Sequence, residues 1–352
     1  QFDVGVPHNQ LLSDLLLENY VWKKFIVESL QQGQLPLWNP YLFTGVPFLA
    51  AGQHSALYPF SLLFYVLPIE SAYGWFVVIQ LGIAGLAMYL FTRALGVGRL
   101  GALIAGITYE LSGFFVVSIV FPMIIAAACW LPALLLCEER IIQGAGGRGR
   151  VFWIVLGALT LGVSLLAGHA EIAYYNLLVM ALFAAWRLSA DVIADKRMKA
   201  RAIHLSASQS AENNHPTTLT RSLLTTQPPN HPTTQLRWAL GIAVSLALMV
   251  ALGVALAAAQ LLPLYGLVSQ RFRQGSASYD EVIGWAYPAR QIVTFLIPDF
   301  FGNPSHHSYF DIFARQTVAV TQDFSGKPID TIFWGVKNYV EAGAYVGVLP
   351  LL

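Results

Sequence analysis

Charge is what this sequence has least of. Only 11% of its 352 residues are Asp, Glu, Lys or Arg, where a soluble domain carries about 25%. That leaves too little polar surface to face water. Cysteine is almost absent. Cys129 and Cys137 sit in one apolar run, which excludes a disulfide framework. A formal net charge of +1 excludes the basic footprint of a nucleic-acid binder. No P-loop, Gly-rich dinucleotide fingerprint, Ser-His-Asp order or Cys-rich metal pattern occurs. What is present is apolar: 56% of residues are hydrophobic and the mean hydropathy is +0.58. That excludes a disordered chain and points to a polytopic membrane protein.

A membrane-crossing helix needs about 20 mostly apolar residues. The runs 71–92, 102–120, 121–137, 151–168, 172–186 and 238–265 meet or approach that length, and 335–352 reads as the start of a seventh. None alternates strictly between apolar and polar residues, which argues against a membrane β-barrel. The expected fold is an all-α polytopic membrane protein. It comprises a first outer loop over 1–70, five spans over 71–188, an insertion over 189–236 and a sixth span over 237–265. A second outer loop over 266–334 and the final run over 335–352 complete it.

Orientation follows from the loop cations. Alternating spans place Arg93, Arg99, Arg140, Arg148, Arg150, Arg187, Lys196, Arg197, Lys199, Arg201, Arg221 and Arg237 on one side, 12 of the 20 basic residues. Most acids fall on the other side. The basic side is expected in the cytoplasm, with loops 1–70 and 266–334 facing outward together. The chain opens on Gln1 and closes inside an apolar run. A loop that lies outside, in a protein that starts in the cytoplasm, predicts one more span ahead of residue 1.

The segment 206–235 is the low-complexity stretch, with Asn-His-Pro-Thr-Thr at 214–218 and again at 230–234. Pro, Thr, Asn and Gln bury too little apolar area to order themselves. It reads as a disordered insertion rather than as a metal site on His215 and His231.

In the first loop, Leu12, Leu15, Leu16, Phe25, Ile26 and Leu30 fit a helix lying against a membrane surface. Asp14 and Glu18 stand four apart and share one helical face. Such a pair serves as a general base, as a cation ligand or merely as a solvated face. Residues 33–48 then hold three prolines, two glycines and a cluster of aromatics. Fixed and positive φ angles rule out a regular helix there, and the stretch reads as a rigid re-entrant or interfacial loop.

These residues resemble a known family. The run from Gly33 through Leu35-Pro36-Leu37-Trp38-Asn39-Pro40-Tyr41, then Gly45-x-Pro47-Phe48 and Gln53-x-x-x-x-Tyr58-Pro59, resembles the first outer loop of the bacterial YfhO-like membrane proteins. Gly168-His169 with Tyr174 and Tyr175, then 297–302, then 338–347, are similar to later parts of that family. The resemblance covers about 14–352, the 189–236 insertion excepted. It departs at Ala170-Glu171, where Pro-Gln is expected. What the resemblance implies is a glycosyltransferase of the GT-C class. Such an enzyme moves a sugar from a polyprenyl-phosphate carrier to an extracytoplasmic cell-envelope acceptor such as lipoteichoic acid or another wall polymer. It also implies an acidic residue in the first outer loop as base or metal ligand, and Asp14 is the matching position.

Such chemistry needs a carboxylate to deprotonate the acceptor and positive charge at the leaving phosphate. Asp14 is the catalytic candidate. Substrate-binding candidates are Glu18, Trp38, Asn39, His54, His169, Glu171, Arg271, Arg273 and Asp299. His169 and Glu171 serve equally well to close a helix–helix turn, and Arg271 and Arg273 as snorkelling anchors. Glu110 lies inside the second span and is expected to make an interhelical hydrogen bond. The cofactor expectation is a divalent cation, magnesium or manganese, or none. The expected partners are the lipid-linked donor, an envelope polymer or lipid acceptor, and membrane lipids. The rival readings are a flippase or transporter for a lipid-linked precursor, which calls for polar groups within several spans, and a non-catalytic scaffold.

Overall fold

The computed structural model describes residues 14–42, 44–144, 147–190, 232–269, 278–279, 289–295, 297, 300, 302–303, 308–311, 313, 315–319 and 332–333. It is an all-α polytopic membrane protein. Among the described residues, six helices are long and apolar enough to cross a membrane. The first is α2 (Ile69–Ala94). The second, Arg99–Val120, is α3 (Arg99–Glu110) followed by two short turns beyond a break at Leu111-Ser112. The third, Pro122–Ile142, is α4 (Pro122–Ala128) and α5 (Leu131–Ile142). Next come α6 (Arg148–Leu166), α7 (Ala170–Ala190) and α8 (Pro232–Leu256). Ahead of them stands the juxtamembrane helix α1 (Tyr20–Gln31), and after them α9 (Ala258–Ser269).

The fifth span is a full 21 residues rather than the short 172–186. The sixth apolar run is not one helix: it breaks at Ala257, and α9 begins there as a separate piece. The seventh run, the first Asn-His-Pro repeat and most of the second large loop lie outside the described residues, while residues 232–235, expected in the disordered insertion, begin α8 instead. Of that loop the structure describes a hairpin, Ser308–Asp311 against Gln316–Ala319, and a short pairing of Gly302–Asn303 with Ile332–Phe333.

The third span is the core, with 72% of its apolar window buried against 17–39% in the others. Its break has a local cause. Pro132 has no N–H to give the carbonyl of Ala128, and the helix steps at Cys129-Trp130. The freed carbonyls are taken by side chains from other spans. Asn176 Nδ2 and Ser164 Oγ donate to Ala127 O at 2.9 and 3.0 Å. Tyr109 Oη donates to Ala128 O at 3.3 Å. With no water available in hydrocarbon, such side-chain bonds are what allow a broken helix there. The fourth and sixth spans close against each other at small residues: a Cβ on Gly253 would come within 2.9 Å of Leu161.

The bundle has two chemically distinct ends. At the basic end, Arg187 Nε and Nη2 each donate to the Glu139 carboxylate at 2.8 Å, and Gln143 Nε2 donates to Ala94 O at 3.1 Å. Both helices that flank 191–231 reach this end. The opposite end, called here the loop end, carries residues 14–68. Glu110 makes no interhelical hydrogen bond of the expected kind; its carboxylate packs on the backbone of Gly85.

Candidate functional site

The loop end is built around a buried lysine. The face that α1 turns inward is not its apolar stripe. Asn19, Lys23 and Ile26 are buried, while Leu16, Leu17, Val21 and Leu30 stay exposed. An outward apolar face on such a helix suits the lipid–water boundary. Lys23 Nζ donates to His54 O at 2.7 Å and Ser61 Oγ at 3.2 Å, and lies 4.6 Å from the centre of the Phe64 ring. Burial disfavours its charged form and pulls its pKa down to about 7.

This clasp fixes where the acids stand. Asp14 begins a single π turn, Leu15–Asn19, that leads into α1, and Asn19 Nδ2 donates to Asp14 O at 3.3 Å. Both Asp14 and Glu18 are exposed. Tyr20 Oη donates to Glu70 Oε1 at 3.2 Å, tying the start of α1 to the start of α2. That bond, with the Glu70 charge, raises the Tyr20 pKa. Asp14, Glu18 and Glu70 are thus among the exposed carboxylates at the loop end.

The Pro/Gly/aromatic segment is ordered as expected. β1 (Trp38–Asn39) pairs with β2 (Val46–Pro47), and Thr44 and Gly45 turn the chain with positive φ. Trp38 is half-exposed, its ring lying over Gly45. Asn39 is buried, and its Oδ1 accepts from Tyr41 N at 2.9 Å, closing an Asx turn. His54 is buried and stacks on Phe48. Its Nδ1 accepts from Ala56 N at 3.0 Å, which leaves Nε2 to donate to Phe48 O at 2.9 Å. Burial holds its pKa down at about 4, with the neighbouring Lys23 charge adding to the effect. Asn39 and His54 are thus both engaged in holding the loop's own backbone.

Three distant segments meet beneath this loop. Gly168, at φ +85°, places its backbone against Gly52 so closely that any Cβ would fall on the Gly52 carbonyl. Ser55 Oγ donates to Ala167 O at 2.6 Å, and Gln260 Nε2 to Leu49 O at 2.8 Å. Beside the joint, His169 Nδ1 accepts from Ile172 N at 3.3 Å, in the manner of a helix cap. Burial lowers the His169 pKa, and Glu171 partly offsets that. Glu171 is exposed, and its Oε1 accepts from Tyr175 Oη at 2.8 Å.

The Gly-His turn and the first loop are therefore joined through Gly52 and Ser55. The acids are not gathered: among the described residues, no three of His, Cys, Asp and Glu stand close enough to share a metal ion. Asp14 and Glu18 offer two carboxylates, the number that holds magnesium where waters and substrate phosphates complete its shell. Arg271, Arg273 and Asp299 lie outside the described residues. Sequence reasoning missed Lys23 and Gln260, and quoted Tyr58 only as part of a motif. Tyr58 Oη donates to Gln80 Oε1 at 2.6 Å and accepts from Trp130 Nε1 at 3.1 Å. One signal for Lys23 was available: it falls four residues from Asn19 and three from Ile26, on one helical face.

Residues 53–211 match the family model of the bacterial membrane protein YfhO. The resemblance read from the sequence is borne out over 53–188, which takes in Tyr58-Pro59 and Gly168-His169; the match begins after the 33–48 motif and runs on over 189–211, which the resemblance had excepted. No curated protein and no solved structure matches the chain.

Proposed function

We propose that this protein is a membrane glycosyltransferase that moves a sugar from a polyprenyl-phosphate carrier to a cell-envelope acceptor on the extracytoplasmic side of the bacterial membrane. The observation that carries the reading is the exposure of the carboxylates Asp14, Glu18 and Glu70 at the loop end, held over a multi-pass bundle whose residues 53–211 match YfhO. A carrier lipid presents its sugar–phosphate bond at headgroup depth, where α1 turns its apolar side chains outward.

In this reading Asp14 takes the proton of an acceptor hydroxyl. The oxygen then bonds to the anomeric carbon as the bond from that carbon to the phosphate oxygen breaks, and polyprenyl phosphate leaves. Arg271 and Arg273 are the proposed partners of the departing charge. Glu18, His169, Glu171 and Asp299 are proposed to contact the sugar or acceptor. The exposed ring of Trp38 offers a stacking face for either. A divalent cation is a further proposal on Asp14 and Glu18, and no step here runs through it.

The flippase reading calls for free polar groups along the spans. Ser164, Asn176 and Tyr109 are engaged by the broken third span, while Gln80 Nε2, Ser118 Oγ and Glu138 Oε2 are buried in the spans without a hydrogen-bond partner among the described residues and keep the flippase as the second reading. The test is sugar transfer from a polyprenyl-phosphate sugar by the full-length protein in liposomes. Asp14→Asn is expected to abolish transfer while binding of the donor persists. Equal transfer by both proteins removes Asp14 from the mechanism.

A further inference from the structure

Arginines from three spans meet at one corner of the basic end. Arg140 stands in the last turn of α5, Arg148 and Arg150 in the first turn of α6, and Arg237 near the start of α8. The Arg140 guanidinium lies 5.9 Å from the centre of the Trp153 ring. Trp153 follows Arg150 by three residues and shares its face of α6. Arg150 Nη1 reaches across to α8, 3.8 Å from where a Cβ on Gly241 would stand. Arg237 precedes Gly241 by one turn on that face.

Arg140 and Arg150 are held against the protein rather than left to the solvent. Both are half-buried, and the Nε of each is sealed without an acceptor among the described residues. A ligand meets the terminal nitrogens instead, of which Arg140 Nη1 donates to Gln143 Oε1 at 3.2 Å. Among the described residues no carboxylate forms an ion pair with Arg140, Arg148, Arg150 or Arg237. Glu139 is taken by Arg187. Glu138 is buried and, two residues from Arg140, falls on the far side of α5. Residues 191–231 join α7 to α8 at this end. They set Asp191, Asp195 and Glu212 against Lys196, Arg197, Lys199, Arg201 and Arg221, so they bring a surplus of cations rather than of anions.

Cations at the end of a membrane bundle stand at the depth of lipid headgroups. A guanidinium fork matches a phosphate in both charge and geometry. An anion with acyl chains is concentrated at that depth, and a free phosphate is not. Exposed apolar side chains of the same helices, Val151 and Val155 of α6 and Leu240 and Val244 of α8, offer the chains a surface. We propose that this corner binds an anionic phospholipid such as phosphatidylglycerol or cardiolipin. Arg140 and Arg150 hold its phosphate, and Arg148 and Arg237 add to the attraction. The proposal rests on the basic end and not on the transferase reading.

The test is native mass spectrometry of the full chain released from nanodiscs of equal phosphatidylglycerol and phosphatidylcholine. The wild type is expected to retain phosphatidylglycerol about thirtyfold over phosphatidylcholine, the effect of two arginines at a membrane surface. Arg140→Gln with Arg150→Gln is expected to abolish that preference. Arg93→Gln with Arg99→Gln removes the same charge from the same end and is expected to leave it unchanged. A photoreactive phosphatidylglycerol is expected to label residues 148–155 and 237–244 of the wild type, a readout that needs no variant to fold. Equal loss in both pairs of variants, labelling spread over every span, or displacement of the lipid by millimolar inorganic phosphate overturns the proposal. No sugar donor is present in this assay, so its failure leaves the transfer result untouched, and the reverse holds too.

Discussion

Lys23 of α1 donates its ammonium hydrogen to the backbone carbonyl of His54 at 2.7 Å, across 31 residues of sequence. This single bond, with the Ser61 hydroxyl beside it, joins the helix that bears the acids to the loop that grips Gly168. It makes the geometry of the loop end sensitive to protons.

The pH dependence follows from the two buried groups. Unfolded, Lys23 titrates near 10.5; folded, near 7. Between those values the unfolded chain holds more protons, so stability rises with pH. His54 acts likewise lower down. Its folded pKa of about 4 lies below the usual 6.5, so stability also rises from pH 4 to 6.5. The Lys23 contribution is on the order of 5 kcal/mol across its window. Thermal unfolding in detergent is expected to show Tm climbing between pH 7 and 10, and Lys23→Met is expected to flatten that climb. A wild-type Tm that falls over this range contradicts the burial of Lys23.

Gly168→Ala is expected to destabilise by about 2–4 kcal/mol, because its positive φ disfavours any side chain and the new methyl meets the Gly52 carbonyl. Gly33 has a similar φ and open space around it. Gly33→Ala is therefore expected to cost only about 1 kcal/mol. Comparing the two melting curves separates the close approach from the backbone preference.

At the basic end, Arg187→Met strips the bidentate partner from the buried Glu139 carboxylate. The expected loss is about 3 kcal/mol. Arg187→Lys recovers part of it at most, since an ammonium cannot reproduce two parallel bonds. Adding Glu139→Gln to Arg187→Met is expected to restore most of the stability, as measured by chemical unfolding.

Within the third span, Asn176→Leu removes a donor from Ala127 O and the partner of Ser164 Oγ. A loss of about 1–3 kcal/mol is expected. Combined with Ser164→Ala, the two losses are expected to be non-additive, because both side chains serve one carbonyl. Strict additivity in a double-mutant cycle contradicts the shared bond.

The composition alone determined that this chain crosses a membrane several times. Apolar runs with little charge have no other stable solution, and the hydropathy placed all six described spans. The Pro/Gly/aromatic loop was legible too, since fixed and positive φ angles leave few alternatives. What the tertiary structure decided is where polar atoms find partners. The carbonyls freed ahead of Pro132 are satisfied from three other segments. Lys23 is buried rather than solvated because carbonyl, hydroxyl and ring converge on it from residues 54, 61 and 64. Hydrophobic periodicity is local and survives in the sequence. Hydrogen-bond satisfaction of a buried group depends on residues far apart in the chain, and no spacing rule encodes it.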